Sequence, residues 1–282
     1  MKVIRRLIKG TINSIFFKNI AFRDLIFNKL AEEGYMFFKK LEDYSIVYYP
    51  HDIIGRMIDS HGSYQRFPVD KIATIFEQIG ILNKDFYIIE LGANIGTHTI
   101  YFSRSFQNAK IIAVEADPEN VDILDHNIRL NELQSRVQIV SAAVSNHNGE
   151  IDIVRNFYNR GGTSVDGDRL ADKASVFSVP CLTVDEILNQ KSINPEDIGL
   201  IWIDVEDHEY QVFQGMAELF SKARPPVFFE LSPRTNKNYH AILDLIFSHY
   251  SSIYICSGDK FLPASREDFS HISVKVDVYA SV

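Results

Sequence analysis

The sequence predicts an α/β fold in which a mostly parallel sheet is flanked by helices, preceded by a helical and short-strand extension. Three observations predict it. From Phe86 onward, apolar strand-like runs alternate with segments of helical period, the pattern of a doubly wound sheet. The run Phe86 to Ile89 ends in Glu90 and turns through Gly92-Ala93-Asn94-Ile95-Gly96 into a helical stretch. A second strand, Lys110 to Val114, also ends in an acid, Glu115.

In chain order, residues 2–17 have a helical period, with Ile4, Leu7, Ile8, Ile12 and Ile15 on one face and Lys2, Arg5, Arg6 and Lys9 on the other. Residues 1–30 hold seven basic side chains against Asp24 alone, a net of +6, so the rest of the chain carries −14 of the total −8. This helix reads three ways: docked on the core or on a second subunit as a homo-oligomer contact, lying on an anionic membrane surface, or touching an anionic glycan or phosphate acceptor. A second helix covers about Ala21 to Glu33. Two short strands follow, around Phe37-Phe38 and Ser45 to Tyr49, then a helix start at Ile53 to Ile58 and a clear helix from Val69 to Ile79. The extension is taken as residues 1–80 and the main domain as 81–282.

In the main domain, strands are expected at 86–91, 110–115, 136–141, 199–204, 226–231, 252–257 and 272–279, and helices at 96–106, 118–130, 183–190, 208–222 and 237–249. Glu150 to Arg155 reads as an extra strand, and Asn156 to Ala174 as a polar, glycine-containing loop. The acidic balance, with a pI near 5.6, argues against a nucleic-acid binder. Cys181 and Cys256 fit reduced thiols of a cytoplasmic protein. No run reaches the ~20 apolar residues of a membrane span, and Lys9 and Lys18 interrupt any signal-peptide core. The expected location is therefore cytoplasmic, with peripheral contact at the inner membrane face as the variant reading.

Strand, glycine turn and helix start together make a nucleotide-type site. Glycine allows close backbone approach, and the free N–H groups of the helix start face the ligand. An acid ending the second strand grips ribose hydroxyls. A dinucleotide would want Gly-x-Gly-x-x-Gly; this turn is Gly92-x-x-x-Gly96, and Glu90 is awkward beside a pyrophosphate. That chemistry favours the cationic sulfonium of S-adenosylmethionine over NAD, with a turn that binds nothing as the third reading. Ser141-Ala142-Ala143 leaves room for a flat adenine, or is a close-packed strand end.

The segments IIELGANIGTHTIYFS (88–103), AVEADPENVDILDHNIRLN (113–131), SAAVSNHNGEI (141–151), VPCLTVDEIL (179–188) and IDVEDHEYQVFQG (203–215) resemble the FkbM family of methyltransferases, over about residues 62–258. The resemblance implies a class I (Rossmann-like) methyltransferase fold, seven strands with the last antiparallel, and O-methylation of sugars, glycans or related metabolites. By it, Glu90, Gly92, Ala93, Asn94 and Gly96 contact the methionine part of S-adenosylmethionine. Glu115 and Ala116 lie at the ribose, and Ser141, Ala142 and Ala143 border the adenine. The family's fourth-strand motif has glycine where this chain has Asp207, a substitution that matters if the position needs a positive φ.

The fourth strand delivers Asp204, Glu206, Asp207 and His208 at its C-terminal end, where open α/β sheets place ligands. His208 is the candidate base, since imidazole titrates near neutrality; the alternative is a histidine that only fixes the loop. Asp204 lies near the sulfonium or positions the acceptor, and Glu206 orients His208 or binds a hydroxyl. Asp204, Glu206 and His208 together offer a divalent-metal set, but close spacing alone is poor evidence for one, and no metal is expected. His98 and the aromatics Tyr35, Tyr44, Tyr48, Tyr49 and Tyr64 are open between packing and ligand contact, and Trp202 reads as core. The rival functions are an NAD-linked oxidoreductase and a non-catalytic binding module.

Overall fold

A computed structural model describes residues 20–155, 162–165, 175–257 and 260–282. The amphipathic segment 2–17 and most of loop 156–174 lie outside the described residues. The chain opens with α1 (Ile20–Glu32), an antiparallel hairpin of β1 (Phe37–Lys40) and β2 (Ser45–Tyr48), then α2 (Ile53–His61) and α3 (Arg66–Gln78). Next come β3 (Tyr87–Leu91), α4 (Thr97–Ser105), β4 (Lys110–Glu115), α5 (Pro118–Leu130) and β5 (Val137–Ser141). A side sheet follows, from β6 (Ala143–Val144), β7 (Gly149–Arg155) and β8 (Ser175–Leu182). The second half holds α6 (Val184–Lys191), β9 (Ile198–Ile203), α7 (Glu209–Gln214), α8 (Ala217–Lys222), β10 (Val227–Leu231), α9 (Tyr239–His249), β11 (Ser252–Ser257), β12 (Lys260–Pro263), α10 (Arg266–Ser270) and β13 (Val276–Ser281).

The main sheet runs β12-β11-β13-β10-β9-β3-β4-β5. β5, β4, β3, β9 and β10 pair in parallel, and β13 is antiparallel to β10 and β11. The expected seven strands with an antiparallel last one are present; β12 adds an eighth as a hairpin on β11. The order reverses between β3 and β9. That switch point opens a crevice at the strands' C-terminal ends.

Alternation along each strand divides the core. Ile88, Trp202 and Phe228 pack on one side of the sheet, Ile89, Ile203 and Phe229 on the other. Trp202 is core, as its position in the strand implied, with its ring stacked 3.8 Å from that of Phe228. The lead-in shares the first core: Ile46, Tyr48, Ile72 and Phe76 are buried with Ile88 and Phe102. Its hairpin is held at the free edge of β2 by Asn127 of α5 and by Asn131, which ends that helix. Asn127 accepts from the Val47 N–H (2.7 Å) and donates to its carbonyl (3.0 Å), and Asn131 does the same for Ser45 (3.0 and 2.7 Å). The two amides thus stand in for a neighbouring strand.

Two expectations are corrected. The helix expected at 208–222 is two helices, broken at Gly215-Met216. A Cβ on Gly215 would lie 2.3 Å from the Ser145 carbonyl oxygen, so the break lets the chain pass against that backbone. β8 carries no expected strand; it pairs with the extra strand over its whole length, Gly149↔Cys181 to Arg155↔Ser175. Among the described residues no helix is long and apolar enough to cross a membrane.

Candidate active site

A cavity of about 290 Å³ lies over the switch point. Its floor is the turn after β3. Gly92 has φ 87°, and a Cβ there would stand 1.9 Å from the Asp204 carbonyl oxygen. Asp204 in turn donates its N–H to the Leu91 carbonyl (2.9 Å). The two parallel strands thus leave no room for a side chain at Gly92. Asn94, also left-handed at φ 50°, is stabilised there by its side chain, which accepts from the Ile95 N–H (2.7 Å). Gly96, at φ 86°, would meet Leu124 Cδ1 at 2.6 Å. It lets α5 close on the turn and is absent from the cavity wall, as are Glu90 and Ser141.

Glu90 lies beneath the floor, fully buried. Its Oε2 accepts from the Thr99 hydroxyl (2.6 Å), while Oε1 has no partner among the described residues. Burial pushes its carboxyl up to about 8. Glu115, at the wall, accepts from the Asp117 N–H through Oε1 (2.9 Å) and from the Asn94 N–H through Oε2 (2.7 Å). Burial raises it to about 7 against the pull of those two bonds. Asp117 caps α5 by accepting from the Glu119 N–H. It is gripped by Arg155 of β7, which also reaches Glu119 (2.6 Å) and lies over the Phe177 ring. Ala116, Ala142 and Ala143 complete this side, and Ser141 is exposed.

The other side is built from the turn after β9. Glu206 and Asp207 have φ 38° and 64°, so Asp207 does stand where a positive φ is required. It is tied down by the Thr235 hydroxyl, which donates to its Oδ1 (2.5 Å), and by its own N–H, which donates to Glu209 Oε1 (3.2 Å). Burial, then the neighbouring Glu206, pushes Asp204 up to about 7. His208 is buried, lines the cavity, and its Nε2 is 2.9 Å from the Ser145 hydroxyl. Asp204, Glu206 and His208 therefore reach one wall. The carboxylates close enough to share an ion, however, are Asp204, Glu206 and Glu230, without His208.

The lead-in and distant loops supply the rest. Tyr64 is drawn to the wall by its N–H, which donates to the Tyr101 hydroxyl (3.2 Å), itself 3.1 Å from the Tyr44 hydroxyl. Ile53, Ile54, Ile153, Ser164 and Lys275 also line it, as does His98. The His98 ring packs 4.7 Å from that of Trp202, and burial holds it down to about 4, hence neutral at pH 7. Lys275 and Ile54 carried no signal in the sequence, because only the register of β13 and the docking of α2 bring them here. Tyr64 and His98 were visible as polar aromatics but not separable from packing residues.

The family model for the methyltransferase FkbM domain matches residues 90–254. A curated relative, Methyltransferase sdnD of Sordaria araneosa, is 27% identical over 158 residues, 47% of this chain and 61% of that protein. The aligned part thus spans less than two thirds of the relative. Among solved structures, an FkbM methyltransferase from Methylobacillus flagellatus KT is similar at 14% identity and TM-score 0.48, covering 78% of this chain and 49% of that one. An O-methyltransferase from Bacillus cereus in complex with SAH is similar at 13% identity and TM-score 0.42, covering 81% and 97%. With the family model matched over more than half its length, the chain belongs to the FkbM family of S-adenosylmethionine-dependent methyltransferases.

Proposed function

We propose that the protein methylates a hydroxyl group of a sugar, glycan or related metabolite, with His208 taking the acceptor's proton. The observation that carries this reading is His208 itself. It is a buried imidazole on the cavity wall, oriented by Ser145 and one turn from Asp204. A sugar hydroxyl is a weak nucleophile and needs such a base.

The residues present fit S-adenosylmethionine. Glu90 sets a buried carboxyl beneath the floor, and the floor at Gly92, which a Cβ would fill, admits close backbone approach. Glu115 Oε2 takes one short backbone N–H bond, and Oε1 takes another together with a long one from the Asn120 amide (3.5 Å), which leaves a lone pair on Oε2 for a ribose hydroxyl. Gly92, Ala93, Asn94 and Asp204 would hold the methionine end, Glu115 and Ala116 the ribose, and Ala142 and Ala143 the adenine. Glu90 and Gly96 would act from behind, by shaping the turn. When bound, the group supplies an electrophilic methyl carbon on positive sulfur.

The protein's part is then positional. Asp204 and Glu206 orient the acceptor hydroxyl toward the methyl side of the cavity. His208 receives the proton at a ring nitrogen. Tyr64, His98 and Ile54 cover the acceptor side and exclude water. The acidic wall and the net charge of −8 favour a small polyhydroxyl acceptor over a nucleic acid.

The test is transfer of labelled methyl from S-adenosylmethionine to a panel of free sugars and glycosides, with wild-type and His208→Ala protein. The reading expects labelled methyl ethers from wild type and their loss in the variant. Methylation at nitrogen or carbon only, or an unchanged variant, would overturn it.

A further inference from the structure

Among the described residues a cation, Lys275, stands between the acids of the acceptor wall. Lys275 immediately precedes β13, and the pairing of β13 with β10 (Glu230↔Asp277) sets it beside Glu230. Its Nζ is 2.5 Å from a Glu230 oxygen and 3.3 Å from a Glu206 oxygen, and the residue lines the cavity. Glu206, Glu230 and Asp204 offer carboxylate oxygens that all lie within 4.8 Å of one another. Three hard oxygen ligands at that separation are what a magnesium or manganese ion would bridge.

We propose that Lys275 is the resident cation of this carboxylate group, filling the place a divalent metal would take and making the acceptor site metal-independent. The ammonium neutralises the group from inside and fixes Glu206, which reaches it from the turn after β9. An ammonium is a compact point charge with three N–H donors. Glu206 and Glu230 account for two, and the third remains for an oxygen in the cavity. The same charge acts on Asp204, opposing the rise that burial and Glu206 impose. A metal rewards an acceptor that chelates it with two oxygens. The ammonium has one N–H left to donate, which a single isolated hydroxyl satisfies. That last step rests on the methyl-transfer reading; the assignment of Lys275 does not.

The experiment uses manganese(II) alone as probe, titrated by calorimetry and by electron paramagnetic resonance into wild type, Lys275→Ala and Lys275→Arg, with S-adenosylhomocysteine binding as the check on folding. Wild type and Lys275→Arg should show no site tighter than about 1 mM. Lys275→Ala should gain one site at least about tenfold tighter, lost again when Glu230→Gln is added. The wild-type arm needs no variant to fold: one manganese site tighter than about 1 mM there would overturn the proposal. So would a Lys275→Ala protein that binds S-adenosylhomocysteine normally yet gains no manganese. Neither outcome depends on methyl transfer, so failure here and failure of the proposed reaction are told apart.

Discussion

The two halves of the cavity are made differently. The cofactor half comes from the ends of three strands adjacent in the sheet, β3, β4 and β5, and its shape is set by backbone. Gly92 lies on the Asp204 carbonyl, and Glu115 is fixed by the N–H groups of Asn94 and Asp117. The acceptor half is gathered from residues 53–64, 164, 204–208 and 275, and its parts are held by side chains: Tyr101 on Tyr64, Ser145 on His208, Lys275 on Glu206. A backbone-built half tolerates almost no substitution. A side-chain-built half can change acceptor without losing the fold, which is how one fold serves many acceptors.

The largest expected effect comes from the floor. Gly92→Ala forces a Cβ onto a carbonyl oxygen and puts a side chain at φ 87°, a site where overpacking costs about 1–3 kcal/mol or more. It should lower the melting temperature and abolish S-adenosylhomocysteine binding in calorimetry; a folded Gly92→Ala protein that binds normally breaks the comparison. His208→Ala should act on the other half alone, lowering turnover about 10²–10⁴-fold with cofactor affinity unchanged. Glu115→Gln should weaken cofactor affinity about 10–100-fold, the worth of a charged hydrogen bond.

The buried acids give a pH signature. A carboxyl whose folded pKa is raised keeps its proton in the folded state while the unfolded chain gives it up, so stability falls as pH rises between the two values. Glu90 rises from 4.5 to about 8, and Glu115 and Asp204 to about 7. His98, lowered from 6.5 to about 4, acts oppositely but only below its unfolded value. Between about pH 6.5 and 8 the acids act without it. The free protein should therefore lose thermal stability across that window, and S-adenosylhomocysteine, which carries an ammonium, should bind more tightly and release protons. Scanning calorimetry with and without it is the measurement, and equal curves at both ends of the window would contradict the account. The smallest effect is expected of Asp207→Gly. Relief of a left-handed side chain gains about 1–2 kcal/mol, and loss of the Thr235 bond costs about 1 kcal/mol. Melting temperature should shift by only a few degrees.

The same division explains what could be read in the sequence. The cofactor half is contiguous, so Gly92, Asn94 and Glu115 announce themselves by turn chemistry and by position at strand ends. Gly96 was legible as a required glycine but not in its purpose, because its neighbour Leu124 is 28 residues on. β8 was illegible because half its residues face solvent, with Pro180 among them, so the run lacks a strong apolar signal. The break at Gly215 depends on Ser145, and the place of Lys275 on the register of β13. Neither leaves a local trace. The positive φ at Asp207 was the exception: a motif departure pointed to a backbone conformation that is present.

The most direct test titrates S-adenosylhomocysteine into Glu115→Gln and His208→Ala side by side, with wild type as reference. The account predicts that Glu115→Gln loses affinity and His208→Ala keeps it. Equal loss in both, or loss confined to His208→Ala, would contradict the division of the cavity into a cofactor half and an acceptor half.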